Sequence, residues 1–208
     1  MKRLLIIGAS GHGKVVADIA MLNGYQEIAF LDDNPTIKQC AGHSIIGKSI
    51  DAEKLNASQV SDFFVAIGNN KIREQIYLKL YELGLNIVSL VHPNAIIASN
   101  VHIGNGTVIM AGVIINPESI IGKGCIINTG ATIDHDDKIS DFVHISVGAH
   151  LCGTVSVGKT TWVGTGTIIC NNISVCSNSV LGAGTVVIEN ISKSGTYIGV
   201  PSRKVLGS

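Results

Sequence analysis

Ala95-Ile-Ile-Ala-Ser-Asn100, Val101-His-Ile-Gly-Asn-Gly106 and Thr107-Val-Ile-Met-Ala-Gly112 open sixteen consecutive hexads that end with Thr185-Val-Val-Ile-Glu-Asn190. No residue interrupts the count, and the third position is always Ile, Leu or Val, from Ile97 and Ile103 to Leu181 and Val187. So short a period marks a parallel β-helix, in which each hexad is one short strand plus a corner and successive coils stack. The third position is expected to point into the prism, where branched aliphatic side chains stack from coil to coil. The fourth is small in fourteen of the sixteen hexads, with Met110 and Ile188 the exceptions. The sixth is mostly Gly, Asn, Asp or Thr, residues that tolerate a sharp corner. The first is small or β-branched except at Asp137. With three hexads to a coil, residues 18 apart become neighbours about 4.8 Å from each other. A prism of this kind leaves flat apolar outer faces, which further copies of the chain commonly cover.

Composition narrows the function. The 208 residues suit two domains, expected at 1–92 and 93–208. Lys and Arg balance Asp and Glu at 15 each without a basic run, which argues against a nucleic-acid partner or a polybasic membrane anchor. No stretch of about 18 apolar residues predicts a membrane span. Met1-Lys-Arg-Leu-Leu-Ile-Ile-Gly8 reads as a buried first strand rather than a signal peptide, because its apolar run is short and no cleavage site follows. Five cysteines without zinc-type pairing suggest free thiols and a cytoplasmic location.

The first ninety residues follow another grammar. Apolar runs at Leu4 to Ile7, Ile28 to Leu31, Phe63 to Ile67 and Ile87 to Val91 alternate with helical patterns at Lys14 to Leu22 and Lys71 to Leu83. This predicts a small Rossmann-like α/β domain of about four parallel strands. Gly8-Ala-Ser-Gly11-His-Gly13 follows the first strand and opens a helix, an arrangement suited to a phosphate. Its spacing is not the dinucleotide fingerprint, and half a dinucleotide fold argues against NAD. Asp32-Asp33 ends the second strand and Gly68-Asn69-Asn70 the third, so three polar tips converge on the carboxyl edge of the sheet.

Taken together, Gly8-Ala-Ser-Gly-His-Gly13, Leu31-Asp-Asp33, Ala66-Ile-Gly-Asn-Asn70 and the hexads around His135 resemble the sugar O-acyltransferase/NeuD family. Within it the likeness is to PglD-like acetyltransferases that N-acetylate UDP-4-amino-4,6-dideoxy sugars. The resemblance implies a left-handed β-helix, a homotrimer with its active site between subunits, a nucleotide-sugar-binding amino-terminal domain and acetyl-CoA on the β-helix, with no metal. Carried onto this chain, Ser10, Gly11 and His12 would meet phosphates or sugar, Asp32 and Asp33 the uridine, and Gly68 the same pocket. His135 falls on the catalytic position, and Asp136 stands where PglD-like members have Glu. His144, Thr165 and Ala183 fall on acetyl-CoA-contacting positions. Arg203 and Lys204, in the closing motif Gly199-Val-Pro-Ser-Arg-Lys204, can meet CoA phosphates.

Acetyl transfer from a thioester to an amine needs a base and a donor for the oxyanion. Carboxylates at Asp134, Asp136 and Asp137 favour the imidazolium of His135 and strengthen it as a base. The 18-residue rule places Gly153 one coil away at the same corner, which makes its N–H the expected oxyanion donor. Three other readings compete. A γ-class carbonic anhydrase needs two histidines five residues apart, whereas His144 and His150 are six apart. A non-catalytic nucleotide-sugar-binding protein would not need His135. O-acetylation of sialic acid uses the same base, and no residue of the sequence separates nitrogen from oxygen acceptors.

Overall fold

The computed structural model describes residues 2–58 and 61–205. The chain divides into two compact units, 1–93 and 94–208.

The amino-terminal unit is built on a six-stranded sheet in the order β3-β4-β2-β1-β5-β6. Its strands are β1 (Arg3–Ile7), β2 (Glu27–Leu31), β3 (Gln39–Cys40), β4 (His43–Gly47), β5 (Asp62–Val65) and β6 (Asn86–Ile87). All pair in parallel except β3 with β4, an antiparallel hairpin at the sheet edge. Helices α1 (Gly11–Leu22), α2 (Ala52–Ser58) and α3 (Asn70–Glu82) connect them. The core strands are the expected apolar runs: Leu4, Leu5, Ile6, Phe30, Leu31, Phe63 and Phe64 are fully buried. Six strands form rather than about four. The extra hairpin escaped the reading because an edge strand needs no continuous apolar run. In β4 half-buried and exposed residues merely alternate, and none is fully buried.

In the second unit the hexads become two-residue strands on three parallel faces. Register follows the 18-residue rule, with Ile114 against Thr132, Ile115 against Ile133 and His144 against Trp162. Third-position side chains from Ile109 to Val187 are buried, while Ile97 and Ile103 at the first coil are half-covered. The sixth position is in the left-handed region at every hexad from Asn100 to Gly184. Glycine adopts that region without cost and Asn or Asp with little. Glu118 and Phe142 adopt it too, at φ 62° and 57°, so coil geometry overrides residue preference there. The strands Val108–Ile109, Ile126–Ile127, His144–Ile145, Trp162–Val163 and Val180–Leu181 form one face, which Thr196–Ile198 and the antiparallel Arg203–Lys204 extend.

Candidate functional site

The corner between Thr132–Ile133 and Lys138–Ile139 carries Asp134, His135, Asp136 and Asp137 in succession. Asp136 sits in the left-handed sixth position at φ 61°, and its N–H donates to the Pro117 carbonyl. This turns its carboxylate back onto the preceding residue, where Oδ2 lies 2.7 Å from Nδ1 of His135. The shorter side chain therefore reaches the imidazole. Asp134 Oδ1 accepts the His135 N–H at 2.8 Å and the Asn116 amide at 2.7 Å. Its Asn116 hydrogen bond, followed by the His135 N–H, holds the Asp134 carboxyl below its ordinary range. The hydrogen bond to Asp136, reinforced by the charges of Asp134, Asp136 and Asp137, raises the pKa of His135.

With Nδ1–H directed at a carboxylate, the neutral imidazole carries its lone pair on Nε2. That edge of the ring lies over Gly153 one coil further on: a Cβ there would stand 2.5 Å from Nε2 and 2.7 Å from Cε1. The next residue, Thr154, donates its N–H to the His135 carbonyl at 2.9 Å. The Gly153 N–H itself has no acceptor among the described residues. A base and an unclaimed backbone donor thus share one corner.

His144 lies elsewhere, on the face opposite that corner. Its ring stacks on Trp162 with centroids 6.1 Å apart and planes inclined by 18°, and Nε2 is 3.2 Å from the Asn128 amide. Trp162 is half exposed, and its Nε1–H donates to Ser146 Oγ at 2.7 Å. Thr165 and Ala183 are exposed at the corner that leaves this face, one coil apart. Arg203 and Lys204 continue the same sheet, exposed, with Lys204 Nζ on the Ser194 carbonyl and Arg203 Nη1 on that of Ser202. One face and the corner that leaves it therefore carry all five positions expected to meet acetyl-CoA. Trp162, Asn128 and Asn116 were missed by the sequence reading. The second-position sites 144 and 162 gave a usable signal for Trp162, because they pair one coil apart.

In the amino-terminal unit, the tips of β1, β2 and β5 converge as expected. Ser10 precedes α1 in an extended conformation, and its carbonyl accepts the Lys14 N–H. The glycines divide by role. A Cβ at Gly8 would stand 2.7 Å from the Ala66 carbonyl oxygen, and one at Gly13 would collide with the Gly8 carbonyl. Those two therefore serve chain packing, whereas Gly11 and Gly68 face open space. Asp32 is committed to the backbone: Oδ2 accepts the Ala9 N–H at 2.7 Å and Oδ1 that of Asn34 at 2.8 Å. It fixes the glycine loop. Asp33 accepts from Ser49 N and Oγ and lines a cleft of about 500 Å³ with Ile50, Glu53, Ile76 and Leu80.

Buried Arg73 donates to the carbonyls of Ile67 and Gly68 and to Asn70 Oδ1, while Asn69 caps α3 through the N–H groups of Lys71 and Ile72. Burial, aided by the Arg73 charge, lowers the pKa of His12 to about 4. His12 is therefore neutral at pH 7, and its Nε2 is buried without a partner among the described residues.

Comparison with known proteins shows the family. Residues 3–80 match the PglD N-terminal domain, and 100–135 match the bacterial transferase hexapeptide repeats. The acetyltransferase domain of PglB from Neisseria gonorrhoeae superposes with a TM-score of 0.94 at 39% identity, over 99% of this chain and 100% of that one. The chain belongs to the PglD-like acetyltransferases. Perosamine N-acetyltransferase from Caulobacter crescentus, solved with CoA and GDP-perosamine, superposes at 0.95 with 33% identity over 99% and 97% of the two chains. UDP-N-acetylbacillosamine N-acetyltransferase from Bacillus subtilis is 38% identical over 114 residues, 53% of this chain and 52% of that protein. The match thus spans about half the length of that curated relative. Like other PglD-like acetyltransferases, the chain pairs an α/β unit with a hexapeptide β-helix.

Proposed function

We propose that this PglD-like acetyltransferase moves the acetyl group of acetyl-CoA onto the 4-amino group of a nucleotide-linked 4-amino-4,6-dideoxy sugar, with UDP as the nucleotide, and works as a cytoplasmic homotrimer. The observation that carries the reading is His135, clamped through Nδ1 by Asp136, with its Nε2 edge against Gly153 one coil on. Acetyl-CoA supplies an activated thioester carbonyl. His135 Nε2 accepts the proton that the attacking amine loses, and Asp136 stabilises the imidazolium so formed. General-base catalysis of this kind contributes roughly 10² to 10⁴ in rate. The Gly153 N–H faces the charge that develops on the carbonyl oxygen, worth on the order of 10² to 10³. His135 then returns its proton to the departing thiolate.

Placement of the two substrates follows the chain's own surfaces. The His144–Trp162 stack, the open corner at Thr165 and Ala183, and the basic pair Arg203 and Lys204 suit an elongated ligand ending in phosphates. Gly11, Gly68 and the α1 amino terminus suit the diphosphate, and Asp33 the nucleoside. His135 and His144 lie on opposite sides of one prism, so a site that uses both takes them from two copies. Exposed Ile96, Ile114 and Ile168 on one outer face support burial against such copies.

The test follows thiol release from acetyl-CoA with UDP- and GDP-linked 4-amino-4,6-dideoxyhexoses and, separately, with sialic acid. Turnover on a nucleotide amino sugar is the expected result. Turnover on sialic acid alone would keep the base and move the acceptor to oxygen, overturning the N-acetyl reading.

A further inference from the structure

The first hexad position holds a ladder of small polar groups inside the corners, and one member is anomalous. Thr107 Oγ1 donates to the Gly122 carbonyl at 2.8 Å, Ser119 Oγ to that of Asp134 at 2.6 Å, and Thr161 Oγ1 to that of Cys176 at 3.1 Å. Thr167 Oγ1 does the same to Gly182, and Cys125 Sγ to Ser140. Each reaches the carbonyl 15 residues on. The same groups accept from the N–H 18 residues on, as Thr107 does from Cys125 and Ser119 from Asp137. A ladder residue therefore needs one donor and one acceptor.

Asp137 occupies such a position, fully buried at the same corner as His135. Its Oδ1 accepts the Val155 N–H, 18 residues on, at 2.7 Å. Its Oδ2 is buried and has no partner among the described residues. By the ladder's register, Oδ2 faces the carbonyl of Cys152. Two oxygens facing each other without a proton repel; a protonated carboxyl donates, as the hydroxyls do. The Cys152 carbonyl belongs to the same peptide group as the Gly153 N–H. A hydrogen bond accepted at the oxygen of an amide polarises its N–H and fixes the plane in which it points.

We propose that Asp137 is a positioning residue that works as the neutral acid, its Oδ2–H donating to the Cys152 carbonyl and thereby orienting and polarising the Gly153 N–H toward the reacting oxyanion. The role given to Gly153 rests on the acetyl-transfer reading above; the contact between Asp137 and the Cys152–Gly153 peptide does not. Burial, only partly offset by the Val155 and Asp134 N–H groups, pushes Asp137 up to about 7. The charged and titratable groups around it are Asp134, His135 and Asp136 on its own corner and the Cys152 thiol on the next coil. Loss of the Asp137 proton would place a carboxylate behind the peptide that must meet the developing oxyanion, weakening it as a donor.

The test is spectroscopic first and needs no substrate. In the full-length protein labelled with [¹³C]aspartate and [¹⁵N]glycine, the Asp137 carboxyl should titrate with a midpoint near neutrality, and the Gly153 amide shift should follow it. In Asp137→Asn or Asp137→Ser, whose side chains donate without titrating, the Gly153 amide should stay constant over that range; either variant suffices if the other does not fold. With substrate, the ratio of variant to wild-type kcat should rise by about tenfold as pH increases across the Asp137 midpoint. An Asp137 carboxyl that titrates in the ordinary range near 4, or a Gly153 amide indifferent to its titration, overturns the proposal. Absence of acetyl transfer with the titration present would instead sink the assignment of the reaction.

Discussion

The imidazole of His135 occupies the space that a side chain on Gly153 would need, with Nε2 2.5 Å from where that Cβ would stand. Eighteen residues apart in sequence, the two are consecutive rungs of one corner, as the ladder Thr132 to His150 on the adjoining strands requires. The relationship makes glycine at 153 a condition for the base, independent of backbone strain, since Gly153 is not among the positive-φ glycines.

Gly153→Ala should therefore leave the coil intact and displace the imidazole. A loss of at least about 10² in kcat is expected, with little change in melting temperature or in KM for acetyl-CoA. Steady-state kinetics alongside thermal melting would check this; a parallel collapse of stability would place the effect in the fold instead.

Asp136 raises the His135 pKa chiefly through its hydrogen bond. Activity that depends on the neutral imidazole rises as pH passes through this elevated pKa. Asp136→Asn should move that rising limb to lower pH and lower the plateau by roughly tenfold or more, since a weaker base is also freed from its tautomer. Asp136→Glu should retain the limb's position, and pH–rate profiles of kcat/KM separate the two.

Two buried groups titrate with opposite signs. His12 at about 4 lies below its ordinary value, so the unfolded chain takes up a proton first. Its contribution is complete above about 6.5 and is lost as pH falls toward 4, by on the order of 3 kcal/mol. Asp137 lies above its ordinary value, so its effect on stability declines as pH rises from about 4 to about 7. Comparing wild type with His12→Gln and with Asp137→Asn by denaturant melts across this interval should give slopes of opposite sign.

The Arg203 and Lys204 side chains donate to backbone carbonyls of Ser202 and Ser194 within the tail. Their joint replacement by Ala should raise KM for acetyl-CoA about tenfold and leave kcat nearly unchanged, with a smaller effect on 3′-dephospho-CoA. Parallel kinetics on the two donors test it.

The β-helix was legible because its period of six is enforced by stacking at every coil, so Ile109 to Val187 each repeat the same demand. Corner neighbours such as His135 and Gly153 then followed from register alone. The hairpin of β3 and β4 was not, since edge strands pair through backbone groups that any residue carries. Nor was the commitment of Asp32 to the Ala9 N–H, because a carboxylate at a strand end looks the same whether it holds a loop or a ribose. Asp137 was visible as the one acidic first position, yet the rise of its pKa depends on burial that sequence does not display.

The most direct measurement compares wild type with His135→Ala on a UDP-4-amino-4,6-dideoxyhexose, following thiol release from acetyl-CoA while CoA binding is measured separately. A fall in kcat of at least about 10²-fold with unchanged CoA affinity is the predicted result. Turnover by the variant within a few-fold of wild type would contradict His135 as the base.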